Sequence, residues 1–156
     1  MVPKNPLSLG KSKQTEKATQ KPIPVPVERS IDFCRVIVDG QLEPGSCHYS
    51  TALKKVNEAE SGYVWLSLRE PNVEQMEKVA EEFGIHDLIV EDAVSAHQRP
   101  KVERYNNQLF LVIRTIEYRD DEEVTDLREI ISTGEVQMLI GENFVITIRH
   151  NAELPN

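Results

Sequence analysis

The most informative pattern of the chain lies between Glu82 and Tyr105, where the sequence reads EFGIHDLIVEDAVSAHQRPKVERY. Gly84 ends a preceding helical pattern, and a second short helix is predicted from His86 to about Ala96. On a helical wheel of about 100° per residue, Asp92 falls inside the apolar arc, whereas Glu91 faces away from it. The apolar arc consists of Ile85, Leu88, Ile89, Ala93 and Ala96.

An aspartate on an apolar helix face needs a partner, because burial of an unpaired carboxylate is costly. One interpretation is structural: Asp92 accepts hydrogen bonds from nearby backbone, or it forms a salt bridge with Arg99 or Lys101. The other is functional: the carboxylate lies at a subunit contact and binds a cation. Adjacent residues of a regular helix cannot both point at one ion. Glu91 and Asp92 would therefore serve two neighbouring ions, or one ion through water.

Two strands and two helices are predicted before this pattern. The strands run from Ile31 to Val38 and from Tyr63 to Leu68, where apolar and aromatic residues are concentrated. A helix capped by Ser50 continues to about Glu60. Apolar residues at helical spacing predict a second helix from Val73 to Phe83.

The remaining predicted elements are extended. A segment from Lys101 to Tyr105 is followed by a turn at 106–107 and by the apolar run Leu109–Ile113, which is typical of a strand buried on both faces. Strands from Glu135 to Ile140 and from Phe144 to Arg149 form a hairpin around 141–143. An acidic loop is expected at 120–123. This mixed order predicts an α/β (α+β) fold in which helices pack on a central sheet.

The N-terminal segment 1–29 is rich in Pro, Lys, Ser, Thr and Gln, and we expect a disordered tail there, followed by one folded domain at 30–156. A basic tether to anionic lipid is the functional alternative for this tail. Residues 1–30 carry six basic and two acidic side chains, so the remainder is more negative than the −8 of the whole chain. An acidic domain attracts cations and repels nucleic acid, which we do not expect as a partner.

Several function classes lack their sequence signals. No Cys-x-x-Cys pair exists, the histidines have no ligand spacing, and no nucleophile elbow is visible, so an enzyme is not predicted. No stretch approaches the roughly 20 apolar residues that span a bilayer. The residues considered for these roles are Cys34, Cys47, His48, His86, His97 and His150.

The segment from Phe83 to Tyr105 resembles the CorA family of divalent-cation transporters. The resemblance rests on the Phe-Gly-Ile-His lead, the Glu-Asp pair and the His-Gln-Arg-Pro-Lys-Val-Glu block. Its flanks agree at Trp65-Leu66, in the Leu109–Thr115 strand and in the closing Gly-Glu-Asn-Phe-Val-Ile-Thr-Ile hairpin. The similarity covers roughly residues 31–150.

This resemblance implies a cytoplasmic domain with a central mixed sheet sandwiched between helical layers. In the family, a stalk helix and two helices of the inner or plasma membrane follow this domain and form a pentameric pore. Those parts are not within these residues, so we expect a fragment or a domain seen without its channel. Alone it should be a monomer, and it should meet the membrane only through the missing helices.

The resemblance also implies an inhibitory Mg²⁺ site between neighbouring cytoplasmic domains, whose carboxylates match Asp92 and secondarily Glu91. The partner carboxylate comes from the stalk of the adjacent subunit. We therefore expect an incomplete regulatory site that binds Mg²⁺ weakly in this chain. The implied function is divalent-cation sensing that gates Mg²⁺ or Co²⁺ transport. The alternatives are a domain of a zinc transporter with the same fold and a stand-alone binding or interaction domain.

Overall fold

A seven-stranded mixed sheet forms the centre of the computed structural model, which describes residues 24–59, 61–118 and 131–150. Its order is β2-β1-β3-β7-β6-β5-β4, with β3 and β7 parallel and the other neighbours antiparallel. The α/β class and the mixed sheet are therefore confirmed. The strands are β1 (Ile31–Val38), β2 (Gln41–Leu42), β3 (Gly62–Arg69), β4 (Lys101–Tyr105), β5 (Gln108–Tyr118), β6 (Ile131–Ile140) and β7 (Phe144–His150).

In the described part of the chain, three α-helices connect these strands: α1 (Tyr49–Glu58), α2 (Val73–Phe83) and α3 (Asp87–Ala93). The predicted bounds of α2 are confirmed. A capping box between Asn72 and Gln75 starts this helix, and Gly84 ends it in the left-handed conformation at φ 63°. The cap predicted for α1 at Ser50 is wrong, because the backbone N–H of Ser50 donates to the ring of His48.

The core lies between the helices and one face of the sheet. Alternate strand residues point toward the helices, and Phe83 of α2 packs edge-to-face on Phe144 of β7 at 5.3 Å between ring centroids. On the opposite face, Trp65 is 40% exposed. The described residues therefore form one helical layer, and the second layer that the resemblance implied is not among them.

Burial along β5 differs from the prediction for the Leu109–Ile113 run. Phe110 and Val112 are buried, whereas Ile113 is 41% exposed on the other face. The run has apolar side chains on both faces, but only one of those faces is covered by helices in the described residues. The prediction of burial on both faces is therefore wrong for this part of the chain.

The folded part begins before the predicted boundary at Ser30. A short 3-10 helix at Val27–Ser30 buries the Val27 side chain in the core, and the side-chain amide of Gln75 donates to the Pro26 carbonyl at 2.7 Å. A valine followed by a few polar residues gives no periodicity, so this contact leaves no pattern in the sequence. Residues 1–23 of the predicted tail and the acidic loop at 120–123 lie outside the described residues.

This docking predicts unequal effects of two nearby valine substitutions. Val27→Ala removes buried apolar volume and should lower the free energy of unfolding by about 2 kcal/mol. Val25→Ala is the matched control, because Val25 is 36% exposed, and its effect should stay within about 0.5 kcal/mol. Urea unfolding of the three proteins measures both values. Equal stabilities for the two variants would show that Val27 is not part of the core.

Candidate cation site at the end of α3

Asp92 lies in the last turn of α3 and forms an ion pair with Lys101 of β4. Its Oδ2 atom is 2.8 Å from Lys101 Nζ, and the same Nζ is 2.9 Å from Glu103 Oε2. The Asp92 side chain is 29% exposed, so water still reaches this carboxylate. The sequence left open whether Arg99 or Lys101 would form a salt bridge with Asp92, and in the structure the partner is Lys101.

The charges of this cluster support one another. Partial burial alone would lower the pKa of Lys101, but hydrogen bonds to Asp92 and Glu103 raise it above its ordinary value. The hydrogen bonds from Lys101 and from the Tyr105 hydroxyl lower the pKa of Glu103. Lys101 is therefore a cation and Glu103 an anion at neutral pH.

The exposure of Asp92 follows from the position of α3 on the domain surface. Leu88, one helical turn earlier on the same side of the helix, is 52% exposed although the helical wheel placed it in the apolar arc. The buried residues of α3 are Ile89 and Ala93. The helix is also shorter than predicted, because it ends at Ala93 rather than near Ala96. Asp92 consequently lies at the edge of the packed face.

Glu91 faces a different environment from Asp92, as the helical wheel predicted. It is exposed and borders a groove of about 520 Å³ between α2 and α3. The groove is lined by both apolar and acidic residues: Val73, Ala80, Ile85, Val90 and Val94, and Glu77, Glu81, Asp87 and Glu91. The two adjacent carboxylates of the sequence motif therefore do not converge on one position.

Gln98 holds the chain that leaves α3. Its side-chain amide donates to the carbonyl oxygen of Asp92 at 2.6 Å and to that of Ser95 at 2.9 Å. Its backbone N–H donates to Glu135 Oε2 at 2.8 Å, and the guanidinium of Arg114 donates to its carbonyl at 3.1 Å. Gln98 of the motif thus fixes the carbonyl end of the helix that carries Asp92.

Glu135 of β6 is buried at the centre of this network, and sequence reasoning missed its role. Its carboxylate accepts hydrogen bonds from the backbone of Gln98 and from Gln137 Nε2, the latter at 2.9 Å. Gln137 also donates to the Ser95 carbonyl at 2.9 Å. On β7, His150 Nε2 lies 2.9 Å from the Ala93 carbonyl. The available signal was that Glu135 and Gln137 alternate with Val136, so both point to the same side of the strand.

The donor chemistry at Asp92 suits a hard divalent cation, because Mg²⁺ and Ca²⁺ bind carboxylate oxygens and water. Within the described residues, no three His, Cys, Asp or Glu side chains are grouped so that they could hold a metal ion. An ion at Asp92 would therefore draw its other ligands from water or from another segment. Metal binding by Asp92 and Glu91 stays a prediction.

Two solved structures are similar to the fold described above. The full-length CmaX protein gives a TM-score of 0.58 at 11% identity, covering 80% of this chain and 36% of that chain. The soluble domain of CorA from Methanocaldococcus jannaschii gives 0.51 at 13% identity, covering 79% and 42%. At such low identity the likeness concerns the fold, which defines an α/β domain of the class found in these proteins.

The sequence identifies the family. A family model described as CorA-like Mg²⁺ transporter protein matches residues 60–155, which is more than half of the chain, so the chain belongs to this family. The cobalt/magnesium transport protein CorA of Thermotoga maritima is 35% identical over 71 residues, or 46% of this chain. The Bacillus subtilis protein YfjQ is 27% identical over 103 residues, or 66% of this chain.

These matches confirm the resemblance, and membership of a transporter family confirms that the chain is not an enzyme. The aligned parts span only 18% of the Thermotoga protein and 29% of the Bacillus protein. The chain thus spans less than a third of the length of either relative. Among the described residues, every helix is too short or too polar to cross a bilayer.

The Gln98 network predicts a stability effect that depends on hydrogen bonds. Gln98→Ala removes the amide that donates to the Asp92 and Ser95 carbonyls and should lower the free energy of unfolding by about 1–3 kcal/mol. Arg99→Ala is the control, because Arg99 is exposed and forms no ion pair within the described residues. Its effect should stay within about 0.5 kcal/mol. Similar urea midpoints for Gln98→Ala and the parent protein would contradict the network.

Proposed function

We propose that this chain is the cytoplasmic, divalent-cation-sensing domain of a CorA-type transporter, and that Asp92 is its principal sensing carboxylate. One observation carries the proposal: Asp92 is partly exposed at the end of a fixed helix, and its side-chain partner among the described residues is a cation. The name of the Thermotoga relative supports Mg²⁺ or Co²⁺ as the ion that is transported. Glu91 is the secondary candidate ligand.

The surroundings of Asp92 suit a reversible response to ions. The carboxylate keeps contact with water, so an ion can reach it without unfolding of the domain. The backbone beneath it is held by Gln98, which is fixed in turn by buried Glu135. Ion binding at the Asp92 carboxylate would therefore move the domain as a whole instead of only fraying the end of the helix.

In the full-length protein, we infer a homopentamer in which Asp92 of each subunit faces a carboxylate of its neighbour. Without an ion between them, these like charges repel and loosen the ring. With an ion between them, the repulsion is screened and the closed state is favoured. At an ion concentration about five times the dissociation constant, each site contributes roughly 1 kcal/mol. Five such sites approach the roughly 5.5 kcal/mol that moves a two-state equilibrium from 1:99 to 99:1.

The name of the Thermotoga relative favours Mg²⁺ or Co²⁺ over Zn²⁺ as the transported ion. The oxygen atoms of Asp92 and Glu91 suit Mg²⁺ as the sensed ion. Membrane attachment and cytoplasmic location follow from the proposed transporter, whose membrane helices lie in segments outside these residues. The stand-alone binding domain would instead have no effect on ion flux.

Replacement of Asp92 in the full-length transporter tests the sensing role. Asp92→Ala should leave transport intact but weaken its inhibition by internal Mg²⁺, because one side of each intersubunit site loses its carboxylate. Measurement of current or flux against internal Mg²⁺ gives the inhibition curve. Asp87→Ala is the control, since Asp87 is an exposed carboxylate in the first turn of the same helix. Inhibition curves of Asp92→Ala that match the parent in an assembled transporter would show a purely structural aspartate.

A further inference from the structure

Lys101 is placed where its ammonium group can leave Asp92 without losing all of its partners. Alternation along β4 puts Lys101, Glu103 and Tyr105 on one side of the strand. Backbone pairing with β5 fixes Lys101 opposite Val112 and Glu103 opposite Phe110. The Nζ atom consequently lies within 2.9 Å of both the Asp92 and the Glu103 carboxylates.

The ammonium and a divalent ion require the same oxygen atoms of Asp92. Lys101 is attached to a strand of the sheet, so it is always near the carboxylate, whereas an ion arrives in proportion to its concentration. Ion pairs of this degree of exposure are weak and can be broken by a competing ion. Glu103, which also accepts a hydrogen bond from Tyr105, remains available as a partner for the displaced ammonium.

We propose that Lys101 is a built-in competitor of the divalent ion: its ammonium occupies the Asp92 carboxylate when the ion is scarce and pairs with Glu103 alone when the ion binds. This inference rests on the proposed sensing role of Asp92 and adds its regulation. Lys101 sets the ion concentration at which Asp92 responds. Its attachment to β4 also links occupancy of Asp92 to the edge of the sheet.

Titration of the 156-residue chain with MgCl₂ at constant ionic strength, followed by the NMR signals of Asp92, tests the competition. Lys101→Gln should tighten Mg²⁺ binding about two- to sixfold, the factor expected for loss of a weak competing ion pair. Glu103→Gln should weaken binding, because Lys101 then pairs with Asp92 alone. Arg99→Gln is the matched control, since it removes the same charge from an exposed residue two positions away.

A second measurement distinguishes displacement of the Lys101 ammonium from Asp92 from a general change in the electrostatic field. In the parent protein, Mg²⁺ should shift the ammonium signal of Lys101 and speed its hydrogen exchange, and Asp92→Asn should abolish both effects. Lys101→Arg keeps the charge and can pair with both carboxylates, so it should bind Mg²⁺ no more tightly than the parent. This variant preserves the test if Lys101→Gln fails to fold.

The outcomes distinguish this inference from the proposed function. If the Mg²⁺-induced NMR shifts depend on Asp92 but the parent and Lys101→Gln bind Mg²⁺ with equal affinity, the competition is overturned. Asp92 remains a cation ligand in that case. If Lys101→Gln and Arg99→Gln tighten Mg²⁺ binding equally, the effect comes from the lower positive charge alone, and the competition by Lys101 is again overturned. Absence of any Asp92-dependent shift in both the parent and Lys101→Gln would overturn the competition together with the ligand role.

Discussion

The buried carboxylate of Glu135 is the constraint on which the candidate site depends. A buried charge is costly unless it is hydrogen-bonded, and this one is satisfied by the Gln98 backbone and the Gln137 amide, with Arg114 at 3.7 Å. These partners tie the segment after α3 to β6. Because β4 begins three residues after Gln98, the same tie brings Lys101 beside Asp92.

The site thereby combines a rigid backbone with a responsive side chain. Buried polar contacts hold the carbonyl end of α3, through Gln98 to Asp92 and through His150 to Ala93. The charged groups of Asp92 and Lys101, by contrast, stay partly in water, where ion pairs are weak and exchange readily. The proposed sensing role needs both properties, since the carboxylate would have to exchange partners while its position in the domain stays fixed.

Local patterns predicted those parts of the fold that depend on neighbouring residues. β1 has its predicted bounds, and α2 starts and ends as its apolar spacing and Gly84 indicated. Contacts between distant residues were beyond these patterns. Val27 enters the core beside α2, and Gln98 reaches the buried Glu135 across 37 positions. The choice of Lys101 over Arg99 likewise follows from the β4–β5 register, which no local pattern specifies.

Manganese mapping of the 156-residue chain tests whether Asp92, rather than the acidic groove, is the principal cation ligand. Mn²⁺ binds the same oxygen donors as Mg²⁺ and broadens the NMR signals of nearby nuclei. At substoichiometric Mn²⁺, we expect the strongest broadening at Asp92 and its ion-pair partner Lys101, with loss of that pattern in Asp92→Asn. Broadening centred on Glu77 and Glu81, unchanged by Asp92→Asn, would contradict it.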